Sequence, residues 1–187
     1  MKLLSVSLLA FVLIVYAADP KASVTKKFTT MITNFLTATQ VGQVADAAIS
    51  KIVVFASTQD ITGAAINKAM GVLSGSQYVT GMNLVSKAMK AYGNMSAVNQ
   101  TIQLCVSGAT PVVLPLYNTL YKNKLEPKKD ATDAQKSTIV YTFVDSKFKM
   151  KLVKKIAKGC AKKLSKDQMT KAKSVLNGII DFGKLGL

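Results

Sequence analysis

The chain has 187 residues, with 25 Lys or Arg against 9 Asp or Glu, a net charge of +16, no His and no Trp. Every basic residue is Lys, so the planar fork with which Arg reads guanine or clamps phosphate is missing, and a sequence-specific nucleic-acid partner is not expected. Without His there is no imidazole base, no Ser/His or Cys/His nucleophile pair and no imidazole ligand for zinc, so neither a catalytic nor a metal site nor a cofactor is expected.

The N-terminus starts with Met1-Lys2, continues through an apolar run from Leu3 to Val15 interrupted only by Ser5 and Ser7, and reaches the small residues Ala17 and Ala18. This is the layout of a secretory signal peptide, residues 1–17, with cleavage after Ala17. A membrane-spanning helix needs ~20 apolar residues, and this run stops short. Residues 18–187 then form one expected helical domain of a secreted, extracellular protein. A chain of that length buries roughly 70% of its unfolded surface, enough for a core.

Along the chain, Val24, Phe28, Met31, Ile32, Phe35 and Leu36 make the first amphipathic stripe, which Gly42 separates from a second segment, Val44 to Ala56. A third runs from Ile61 to Leu73 and ends at Ser74-Gly75-Ser76. A fourth, from Tyr78 to Tyr92 with Met82, Val85 and Met89 between, stops at Gly93. The fifth holds Val98, Ile102 and Cys105 and ends at Gly108, after which Thr110-Pro111 opens a sixth with Pro in its first turn. Ile139 to Phe143 has the composition of a strand, as does Lys51 to Phe55, yet neither has paired turn signals and the surrounding period is nearer 3.6 than 2. The expected fold is all-α, an array or bundle of about seven to eight short amphipathic helices with one disulfide.

Cys105 and Cys160 are the two cysteines, 55 residues apart, and an oxidising compartment pairs them. Asn94-Met95-Ser96 and Asn99-Gln100-Thr101 fit the N-glycosylation pattern, making Asn94 and Asn99 the expected glycan acceptors, Asn94 at a turn and Asn99 on a helix. Residues 122–132 read as an exposed linker, within which Lys128-Lys129 is a dibasic pair open to processing. Charge divides at the linker. Residues 18–121 carry 7 Lys and 3 acids, while residues 122–187 carry 17 Lys and 6 acids.

Within this Lys-rich C-terminal part, the segment from Lys147 to Leu164 is the most informative. On a helical wheel Phe148, Leu152, Val153, Ile156, Cys160 and Leu164 share a broad apolar arc, and Lys147, Lys151, Lys154, Lys155, Lys158 and Lys162 cluster opposite within about 100°. Such a helix either lies on an anionic membrane with its apolar face inserted, as cationic defence peptides do, or packs that face inward and exposes a Lys ridge. Cys160 sits mid-arc. A bond to Cys105 favours the inward orientation and leaves Lys147 to Lys162 as the anionic-surface contact. Ser165-Lys166-Asp167-Gln168 then has the form of a capping box that opens a last helix.

Two binding roles follow for a non-enzymatic protein. An interior filled by Ala, Val and Met, with few aromatics, suits carriage of an apolar small molecule or lipid. The Lys ridge suits an anionic membrane surface.

Overall fold

The computed structural model describes Thr25, Lys26, Thr29 and residues 35–147 and 149–187, and the architecture is all-α with no strand among these residues. The signal-peptide segment 1–17, most of the first apolar stripe and Phe148 lie outside the described residues.

α1 (Ala38–Ile52) and α2 (Thr58–Val72) pack against one another and supply most of the core. α1 buries Val41, Val44, Ala45, Ala48, Ile49 and Ile52, positions that recur every three or four residues along one face. Against them α2 sets Ile61, Ala65, Ile66 and Ala69. Gly42, expected as a boundary, lies inside α1 and is buried, because the helix begins earlier, at a capping box in which Thr37 and Gln40 satisfy each other's backbone N–H groups. α1 ends where Ala56 N–H donates to Lys51 O and Phe55 N–H to Ile52 O, a Schellman closure. That closure puts Phe55 at φ 57°, a conformation usually left to glycine. Its ring is held edge-on by Tyr121, centroids 5.1 Å apart, with the Lys136 ammonium 5.8 Å over it. Lys136 itself is buried, and its charge is met by Asp133 at 3.1 Å.

α3 (Gly75–Tyr92) opens on a second capping box, Ser74 with Gln77, and stops at Gly93, whose φ of 82° continues no helix. The two box glutamines also bond each other. Gln40 Nε2 donates to Gln77 Oε1 at 2.7 Å and to the Val72 carbonyl at 2.6 Å, while Gln77 Nε2 donates to Gln40 Oε1 at 2.9 Å and to the Phe35 carbonyl at 2.6 Å. The starts of α1 and α3 and the end of α2 are thereby tied at one point. Of α3 only Leu84 is buried. The Tyr78, Met82, Met89 face, which its spacing made the inward candidate, is turned outward instead, because α3 docks on α4 and α7 through the neighbouring face that carries Leu84 and Tyr92.

α4 (Met95–Leu120) is one continuous helix where two were expected. It runs through Gly108, Pro111 and Pro115. Each proline removes one i to i−4 hydrogen bond, but both prolines and Ser107, whose carbonyl is one of the two freed, are exposed, so water can satisfy what the ladder loses on that side. The chain then widens through a π-helical turn, Tyr121–Leu125, and tightens through a 3-10 turn, Glu126–Lys128. The segment 122–132 is largely exposed, yet it is not a free tether: Leu125 is fully buried and pins it to the core.

α5 (Asp133–Lys147) includes Ile139 to Phe143, so the strand alternative there fails; Val140 is buried and the Tyr141 hydroxyl donates to Asp46 of α1. α6 (Met150–Ala161) packs along α4, and α7 (Lys166–Leu176) along α3. α7 starts at the expected box, Ser165 with Gln168. A final turn, α8 (Phe182–Leu185), lies on α6.

Candidate anionic-surface site on helix α6

Two contacts decide which way α6 faces. Cys105 of α4 and Cys160 of α6 form a disulfide with Cα atoms 4.0 Å apart. One turn away, Gly108 of α4 meets Gly159 of α6 backbone to backbone. A Cβ on Gly108 would fall inside the Gly159 carbonyl group, 2.7 Å from its carbon, and a Cβ on Gly159 would strike the Gly108 carbonyl in return. Only glycine at both positions permits helices this close. Gly108 is thus a crossing point, not the helix terminator its type suggested. It was missed because a glycine inside an apolar stretch carries the same letter whether it breaks a helix or lets another approach.

The crossing turns the apolar arc inward. Val153 is buried, and Leu152, Ile156, Ala157, Ala161 and Leu164 are partly buried; Met150, at the first turn, remains 41% exposed. α6 is shorter than the predicted 147–164. It begins only after Lys149, which is extended at φ −115° and ψ 146°, and gives way to tighter turns in which Lys163 N–H donates to Cys160 O and Leu164 N–H to Ala161 O. The six predicted ridge lysines are therefore split. Lys151, Lys154, Lys155 and Lys158 stand on α6, Lys162 is its C-cap, and Lys147 closes α5, where its ammonium lies 5.7 Å over the Phe143 ring.

All six are exposed. Among the described residues, none of Lys151, Lys154, Lys155, Lys158 and Lys162 has a carboxylate partner. Three of the chain's acids are occupied within their own helical turns: Asp133 with Lys136, Asp167 with Lys171 at 2.8 Å, Asp181 with Lys184 at 3.3 Å. Asp181 also caps α8, accepting the Lys184 backbone N–H at 3.0 Å, and this bond, with the Lys184 charge, holds its carboxyl below the usual carboxylate range. α8 also supports the ridge sterically. A Cβ on Gly186 would stand 3.9 Å from Lys158 Cε and 4.0 Å from Lys154 Cδ, so the stems of these two lysines run beside it while their charges face outward.

Other predicted positions lie elsewhere. Asn94 is exposed at the N-cap of α4, its carboxamide oxygen accepting from Ala97 N–H at 2.9 Å, and Asn99 is exposed on the second turn. Lys128 and Lys129 are exposed in the 3-10 turn and just after it. Two phenols, Tyr92 and Tyr117, are pushed above the ordinary tyrosine range by partial burial, so both stay protonated at neutral pH. Among the described residues no group of three or more His, Cys, Asp or Glu is gathered as a metal site would require, and no helix is long and apolar enough to cross a membrane. Comparison of the chain with protein-family models, with curated proteins and with solved structures finds no match.

Proposed function

We propose that this is a secreted, non-enzymatic binding protein that docks on anionic lipid surfaces through Lys151, Lys154, Lys155, Lys158 and Lys162. The observation that carries this reading is the division of α6: one face is committed to α4 by the Cys105–Cys160 bond and the Gly108/Gly159 crossing, and the other presents lysines that no carboxylate among the described residues neutralises. Each Lys held near an anionic membrane surface contributes about 1 kcal/mol, so five aligned charges suffice for reversible docking without any fitted pocket. Lys is suited to this. Its ammonium is a hydrated point charge that exchanges partners freely, whereas selective recognition would favour Arg. Secretion is supported by the Leu3 to Val15 run and by a disulfide, which persists in oxidising compartments.

Lysis by inserting the apolar face of α6 is opposed by the same geometry, since that face is occupied and covalently held. Co-sedimentation with vesicles of phosphatidylcholine and phosphatidylglycerol tests the proposal. Binding is expected at 50 mM salt, strong weakening at 500 mM because the screening length falls well below 10 Å, and loss of the salt-dependent part in a Lys151→Glu, Lys155→Glu, Lys158→Glu variant. Equal binding by the variant, or none by the native protein at low salt, overturns it.

A further inference from the structure

Among the described residues, α3 carries an exposed apolar stripe. Tyr78 is 56% exposed, Val79 58%, Met82 40% and Met89 36%, although residues of this size are usually drawn inward. On the helical wheel Tyr78, Met82 and Met89 fall within about 40° of one another, and Val79 stands about 60° further round. Next around the helix come Lys90 and Lys87, both exposed, before the polar sector gives way to the inward face with Leu84. Between Ile61 and Leu125 the chain has no Asp or Glu at all, while it has Lys68, Lys87, Lys90, Lys122 and Lys124. Thus an apolar strip lies beside a row of lysines, on a stretch of chain without negative charge.

We infer that α3 is an apolar membrane-contact element: Tyr78, Val79, Met82 and Met89 enter the headgroup boundary of an anionic bilayer while Lys87 and Lys90 engage its phosphates. Helices that lie in a membrane interface have this division, an apolar face at the acyl boundary and lysines reaching back to the headgroups. Charge selects the occupant. A second copy would bring another strongly cationic molecule, with its own Lys87 and Lys90, against a helix that carries no carboxylate of its own, while Asp167 beside Tyr92 is already paired with Lys171. An anionic bilayer meets both halves of the surface. The inference rests on the proposed anionic-lipid reading and adds a contact that salt should not screen.

The chain has no Trp, so a Val79→Trp variant holds a single reporter at the edge of the stripe that borders the lysines. With phosphatidylglycerol-containing vesicles its emission is expected to shift to the blue, and to stay shifted at 500 mM salt. A Met82→Ser, Met89→Ser variant, with unchanged helix content by circular dichroism, should bind about tenfold more weakly at that salt concentration, where apolar contact dominates. If the protein sediments with vesicles while the Trp emission stays that of a water-exposed ring, the stripe is no membrane contact and the α6 ridge reading survives. If nothing sediments at any salt, both readings fall. Emission already blue without vesicles also overturns the inference, in favour of a second copy if the shift grows with protein concentration and of cover by this chain's own residues if it does not.

Discussion

The α1–α2 pair and the α4–α6 pair are both close helix contacts, made by opposite means. α1 and α2 meet through eleven buried positions, nearly all aliphatic and repeated along both helices. α6 has one buried residue, Val153, and its contact with α4 is fixed by a pair of glycines and a disulfide. The first pair is held by area removed from water, worth roughly 25 cal/mol per Å². The second has little such area, since a third of α6 is lysine, and depends on a covalent bond and on backbone proximity. A helix kept available for solvent and for a partner surface has to be anchored by something other than a wide apolar face.

Opening the disulfide by Cys105→Ala, Cys160→Ala is the most costly single intervention on the second pair. For a loop of 55 residues the chain-entropy account gives about 4 kcal/mol, read as a lower denaturation midpoint in urea. On the first pair, Ile61→Ala should cost about 3 kcal/mol, because Ile61 is among the largest fully buried side chains and its removal leaves a cavity. Amide exchange sharpens the contrast: the cysteine variant should lose protection first in α6, the Ile61 variant in α1 and α2. Gly108→Ala should cost about 2 kcal/mol, although alanine in an ordinary helix stabilises by about 1 kcal/mol; a neutral or stabilising result would break the account of the crossing. Gln77→Ala removes half of a capping box and its link to Gln40, an expected loss of about 1 kcal/mol confined to the ends of α1, α2 and α3. The smallest effect belongs to Asp181. Its folded-state carboxyl sits below the ordinary carboxylate range, so its capping of α8 is fully present above that range and is lost as pH falls through the lowered value. The Lys184 amide shift in an NMR titration should follow that step.

Much of this was legible in the residues. The 3.6 period gave the helical class, the even cysteine count gave the bridge, and the position of Cys160 on the wheel gave the direction α6 faces. Periodicity failed where one helix has two apolar faces to choose from: on α3 it pointed to Met82 and Met89, and tertiary docking used Leu84 instead. Local breaker rules failed at Gly42, Gly108 and Pro111 for separate reasons. Gly42 lies inside a helix whose start is set by the Thr37/Gln40 box, Gly108 is where α6 approaches, and Pro111 loses its hydrogen bond on an exposed side; single-residue preferences contain none of these surroundings. The ridge was drawn one helix too long because the extended Lys149 interrupts an apolar pattern that itself continues unbroken. The capping boxes at Thr37, Ser74 and Thr132 carried the same signal as the one at Ser165, a hydroxyl residue three places before Gln, and could have set the starts of α1, α3 and α5.

Those four boxes all use glutamine where glutamate would serve equally well at neutral pH. A glutamate in that position loses its acceptor charge as it is protonated in acid; an amide has nothing to titrate. The capping bonds that start α1, α3, α5 and α7 are therefore indifferent to acidification. Acid should leave those four caps in place while removing negative charge elsewhere, the Asp133–Lys136 and Asp167–Lys171 pairs included, so that the molecule becomes more cationic with these helix starts still capped.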